Sequence, residues 1–149
     1  MKEIADQLQE LIDQSAHQLF DITETESAVR PAPGKWSKKE IIGHLIDSAS
    51  NNHQRFIRAQ ENKSLSFPGY AQNFWVDRQG YQNEPWKTLV ALWTTYNTHL
   101  AHLIENVPDD CADHLCTIGS HEPMTLKLLA EDYVRHAEHH LHQILDSGT

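Results

Sequence analysis

Eleven histidines stand in a chain of 149 residues. Imidazole changes charge near neutral pH and ligates transition metals as the neutral ring, so their positions carry the first question. Four fall in the run His136-Ala137-Glu138-His139-His140-Leu141-His142. On a helical wheel at ~100° per residue, Leu129, His140, Tyr133, Leu126 and Ile144 lie within about 80° of His136. Glu131, Arg135, Glu138 and His142 take the opposite side, with His139 close to them. His136 and His140 therefore continue a core-facing stripe, whereas His139 and His142 belong to the solvated face. Residues four apart on a helix stand ~5–6 Å apart at Cβ, so two such imidazoles converge on one metal at ~2.0–2.1 Å per Zn–N bond. The ordinary alternative is a pair of core-edge histidines bonded to neighbouring helices. The pair is not an H-E-x-x-H motif: Ala137 follows the first histidine, and Glu138 lies about 160° from His140.

A third ligand must come from another helix. The segment Gly43-His44-Leu45-Ile46-Asp47-Ser48 offers His44, which forms a polar stripe with Ser48 and Arg55 beside the apolar sweep of Ile41, Ile42, Leu45, Ala49 and Phe56. Asn52 falls inside that sweep and needs a buried partner. His53 is on the far side of the same helix from His44. His99 and His102, an i, i+3 pair, are a rival ligand source, though exposure is their ordinary reading. His17, His114 and His121 join no constellation and read as surface. The two cysteines, Cys111 and Cys116, form neither a C-x-x-C pair nor a disulfide framework, and no internal thiolate nucleophile is expected.

Four periodic segments must position these groups, near residues 2–22, 37–62, 85–107 and 125–145. The first ends before Arg30-Pro31-Ala32-Pro33-Gly34, which cannot continue a helix. Ser37-Lys38-Lys39-Glu40 reads as a capping box opening the second. Pro85 opens the third, and Pro108 follows its end. The fourth starts near Thr125 and stops before Ser147-Gly148. Only 6 Gly and 6 Pro are present, which favours long helices over a turn-rich β fold. The expectation is one domain over residues 1–149: an all-α four-helix bundle with a long connection between its second and third helices. That connection, Lys63 to Asn83, holds a Pro68-Gly69 turn and a short helical piece at Phe74–Gln79; Asp109–Pro123 is read as a second connection.

The charge balance is 12 Lys+Arg against 21 Asp+Glu, a net −9. No basic patch suits a phosphate backbone, so no nucleic-acid partner is expected. No apolar run approaches the ~20 residues of a membrane span. The opening MKEIADQLQELIDQ alternates charged and apolar residues and does not read as a secretory signal, so a cytoplasmic protein is expected. A homodimer is expected because Trp75, Trp86, Trp93 and the apolar residues around the long connection exceed what one small bundle obviously needs.

The residues Gly34-Lys35-Trp36-Ser37, Glu40, Gly43 to Ser48, Asn52 and Arg55-Phe56, with Tyr133 to Ile144, resemble the DinB superfamily in its YfiT-like branch. The resemblance spans roughly Pro31 to Leu145, and the first helix fits by pattern only. It implies a four-helix bundle holding a divalent ion, zinc or nickel, on His44, His136 and His140, and a dimer. It also implies a metal-dependent hydrolase or a thiol S-transferase using a low-molecular-weight thiol. Three imidazoles leave an open position, where a water reaches a pKa near 7 or a thiol ionises. Asp47 is the nearest carboxylate to His44 in its helix and the candidate acid–base group for hydrolysis. Arg55 is the candidate contact for a carboxylate on a thiol cofactor. The expected reaction is thiol transfer to a small electrophile, because no H-E-x-x-H base stands beside the ligands. The alternatives are hydrolysis by a metal-bound water, a non-catalytic metal- or ligand-binding module, and a bundle whose histidines are incidental. The electrophile would enter a cleft covered by Phe67, Tyr70, Phe74 and Trp75.

Overall fold

The computed structural model describes residues 1–146, so the stop at Ser147-Gly148 lies outside the described residues. In chain order come α1 (Lys2–Asp21), α2 (Glu24–Ser27), α3 (Lys38–Arg58), β1 (Ser64–Phe67), α4 (Gln72–Gln79), α5 (Trp86–Glu105), β2 (Leu115–Ile118), β3 (Met124–Thr125) and α6 (Leu126–Leu145). The four long helices form the bundle. Each packs on two others in the cycle α1, α5, α3, α6. Leu8 and Ile12 of α1, Ile42 and Phe56 of α3, Trp86 and Trp93 of α5, and Leu126 and Ile144 of α6 fill the core. Among the described residues no helix is long and apolar enough to cross a membrane.

The helix starts follow local chemistry. The Ser37 hydroxyl accepts from the Glu40 N–H at 3.2 Å, and the Glu40 carboxylate accepts from the Ser37 N–H at 2.8 Å, which completes the capping box. Arg30 neutralises that buried carboxylate from outside, its Nε–H donating at 2.9 Å. The Ser37 hydroxyl also donates to Gln82 Oε1 at 2.6 Å, tying the start of α3 to the turn before α5. Thr125 caps α6 by accepting from the Leu128 N–H.

The structure departs from the periodicity in four places. First, α3 stops at Arg58, four residues short of the expected Asn62. Neither Gly nor Pro marks that stop. The chain turns because β1 must reach β2, where the Leu115 N–H bonds the Lys63 carbonyl at 2.8 Å. Second, the two connections are not plain loops: β1 pairs parallel with β2, and β2 antiparallel with β3. Strands of two to four residues carry too little alternation to be read from a window. Third, Leu92, an apolar residue in the middle of α5, is 46% exposed. Fourth, Trp86 and Trp93 are fully buried in the bundle's own core, so they are no surplus awaiting a second subunit.

Replacing Ser37 with Ala removes a cap and a buried hydrogen bond to Gln82 together. The variant should lose about 1–2 kcal/mol, as caps of this type do. Urea unfolding that matches the parent chain would show that the capping box is not what starts α3.

Candidate metal centre

Three side chains from two helices meet at one point. His44 lies one turn and a half into α3 and is fully buried. Trp36, the residue before the cap, covers it with ring centroids 5.1 Å apart. His136 and His140 face it from α6, with centroids 5.1 and 4.9 Å from the His44 ring and 4.6 Å from each other. His44 Nε2 stands 3.1 Å from His136 Nε2, and one ligand nitrogen from each of the three rings lies within 4.8 Å of the others. Nitrogens bound to a tetrahedral ion at ~2.0–2.1 Å stand roughly 3.3 Å apart, so small side-chain movements close the set.

Electrostatics favours neutral rings. Burial, then the charges of His136 and His140, pushes His44 down to about 3. Burial, then His140, pushes His136 down to about 4. Burial also lowers His140, against the opposing pull of its Gln143 hydrogen bond. All three therefore keep a lone pair at neutral pH, the form a metal requires. Gln143 Oε1 sits 2.9 Å from His140 Nδ1, which places the proton there and leaves Nε2 to the cluster. The Nδ1 atoms of His44 and His136 are buried with no hydrogen-bond partner among the described residues. Two neutral rings with facing Nε2 atoms 3.1 Å apart are explained by a cation shared between them. The donor set thus fits a divalent ion.

The remaining histidines sort by position. His139 and His142 are exposed, as the wheel requires. His99 and His102 are exposed on α5 and do not approach the cluster; His99 instead meets the His53 ring at 5.4 Å. His17 is exposed. His114, read as surface, is half-buried, and its Nδ1 lies 2.7 Å from the Ala59 carbonyl at the end of α3. His121, also read as surface, is exposed but lines the cleft beside the cluster.

That cleft measures 350 Å³ and has His136 in its wall. Ser48, Asn52 and Arg55 form its floor along α3; Gly69, Tyr70 and Gln72 come from the long connection, and Ile118, His121 and Met124 from the second. Arg55 is only 7% exposed. Its guanidinium donates to Asn52 Oδ1 at 3.3 Å and to the Pro68 carbonyl at 3.4 Å. Asn52 finds the buried partner its position demands, donating to the Ser48 carbonyl at 2.9 Å. Asp47 is buried elsewhere on α3. Its Oδ1 accepts from the Tyr81 hydroxyl at 2.7 Å and from Gln79, and burial raises its pKa. It is not among the described residues that form the cluster or line the cleft. Of the four aromatic residues expected over the site, Tyr70 lines the cleft and Trp75 stacks behind it at 5.1 Å. Phe67 packs toward the core from β1, and Phe74 is 57% exposed under Arg78. A larger groove of 710 Å³ runs between α1 and α6, and none of the three clustered histidines lines it.

The fold and the cluster define a class: a helical bundle with a three-histidine centre opening on a cleft. The sequence profile of the DinB superfamily matches residues 4–144, and the chain belongs to that superfamily. Its structure superposes on YfiT from Bacillus subtilis with a TM-score of 0.86 at 19% identity, covering 97% of this chain and 83% of that one. YfiT is described as a probable metal-dependent hydrolase with an unusual four-helix bundle topology. No curated protein matches the chain.

Replacing His44, His136 or His140 with Ala should each abolish retention of one zinc or nickel equivalent through desalting. His139→Ala and His142→Ala should retain it, as metal analysis of the eluted protein will read. Equal loss from all five variants would sink the face assignment.

Proposed function

We propose that the chain is a metal-dependent enzyme in which His44, His136 and His140 hold one divalent ion, zinc or nickel, beside the substrate cleft. The observation that carries this reading is the convergence of three neutral imidazole nitrogens with no carboxylate or thiolate of the described residues among them. Bound there, the ion would supply Lewis acidity that lowers the pKa of a water or a small thiol so that it attacks as its anion. The chain's own residues do the rest. Gln143 holds the His140 ring in its tautomer, and Trp36 covers the His44 ring. Asp47 holds Tyr81 and Gln79, and through them the end of the long connection, against α3.

The first reading of the nucleophile is a low-molecular-weight thiol attacking a small electrophile. A thiol needs no protein base once ionised, and no acid of the described residues stands in the cluster. The second reading is hydrolysis. The description of YfiT favours it, and Asp47 remains its candidate acid–base group three residues from His44. The homodimer belongs to the same proposal and rests on the dimer that the family resemblance implies. Light scattering at tens of micromolar tests it, and a monomer mass refutes it.

Incubating the zinc- or nickel-loaded protein with monochlorobimane and bacillithiol, mycothiol or glutathione should give metal-dependent thiol conjugation. The His136→Ala variant should lose it. Metal-dependent turnover of esters or amides without any thiol, and no conjugation, would replace the first reading with the second.

A further inference from the structure

The cleft holds a buried positive charge to which no carboxylate of the described residues is bonded. Arg55 is more than nine-tenths buried, and its two hydrogen bonds go to a neutral amide oxygen and a backbone carbonyl. The acidic groups whose field reaches it are the Tyr70 hydroxyl and the Cys116 thiol. Burial keeps both protonated at neutral pH, with Tyr70 pushed up to about 12 and Cys116 also raised. Asp132 does line the cleft, but it is half-exposed and its Oδ1 accepts from Arg135 at 2.5 Å. A guanidinium does not shed its proton to escape such a site, and burying it without a counter-charge is unfavourable. Proteins leave such a charge where a ligand supplies the anion, and the planar fork suits carboxylate and phosphate oxygens.

Position strengthens the case. Arg55 follows His44 by eleven residues on one stripe of α3, roughly 16 Å along the axis. Helical side chains lean toward the N-terminus, which brings the long guanidinium arm back toward the cluster. Ser48 and Asn52 pave the floor between them, and the cleft that Arg55 lines also contains His136.

We propose that Arg55 is an anion subsite, and that the cleft takes a small molecule bearing a carboxylate or phosphate whose other end lies toward His136. The subsite rests on the metal reading only for what happens at that other end. The overall charge of −9 disfavours anions at the surface, so the subsite relies on the local field of Arg55 in the cleft.

Titration calorimetry of the zinc-loaded chain with succinate, and separately with inorganic phosphate, should show saturable binding. Arg55→Gln should weaken it by at least ~10-fold, and Arg55→Lys by less, since lysine keeps the charge and loses the fork. Tighter binding of succinate assigns a carboxylate, and tighter binding of phosphate a phosphoryl group. No saturable binding, or equal affinity in Arg55→Gln, overturns the subsite, since the anion would then sit on the ion or elsewhere. Should Arg55→Gln fail to fold by circular dichroism, the parent chain decides. Its Arg55 Nε–H resonance should shift on adding the anion while that of exposed Arg58 stays, and an unmoved Arg55 signal overturns the inference. Zinc content measured on the same samples keeps the two readings apart. A chain without zinc that still binds anion through Arg55 removes the metal reading alone.

Discussion

A helix that buries a polar stripe inside a bundle obliges everything around it to supply partners. On α3 the polar residues His44, Asp47, Ser48, Asn52 and Arg55 are all buried. An unpaired polar group in such a place costs about 1–3 kcal/mol, and an unpaired charge more. The neighbouring elements are arranged around that demand. His136 and His140 face His44, Tyr81 and Gln79 serve Asp47, and the Pro68 carbonyl meets Arg55. Gly43 belongs to the same arrangement: a Cβ there would stand 2.1 Å from the Tyr81 ring, so only glycine lets that tyrosine lie against α3 and reach Asp47.

The connections acquire their shape from the same source. The connections between bundle helices have no obligatory structure, yet here β1 and β2 pair and tie both connections to the end of α3. That pairing brings Tyr70 from one connection and Ile118, His121 and Met124 from the other to the same cleft. A second, part-buried network fixes the opposite end of α3. Lys39 bonds Glu24 and the Glu84 carbonyl, while Glu24 accepts from the Trp86 N–H at 2.8 Å. Two chemistries, the His44 imidazole toward one end and the Arg55 guanidinium toward the other, are thus carried on one helix, and α6 brings the other two imidazoles to the first.

The sequence alone determined the helices and most of what they carry. Long amphipathic segments write their period many times over, and the Ser37 box and Pro85 mark starts through backbone bonds made within a few residues. The wheel separated His136 and His140 from His139 and His142 because a helix converts spacing directly into direction. It placed Asn52 among apolar neighbours and Arg55 on the stripe of His44 for the same reason. The choice of His44 over His99 and His102 came from a resemblance, since periodicity on one helix says nothing about which neighbour it faces. Tertiary structure alone decided that α3 and α6 are adjacent with these stripes in register. It decided where α3 ends, that His114 closes on the Ala59 carbonyl, that Asp47 turns to Tyr81, and that Arg55 meets the Pro68 carbonyl. Each of these depends on contacts that reach beyond one helix, and local sequence cannot specify a partner that folding brings from elsewhere in the chain.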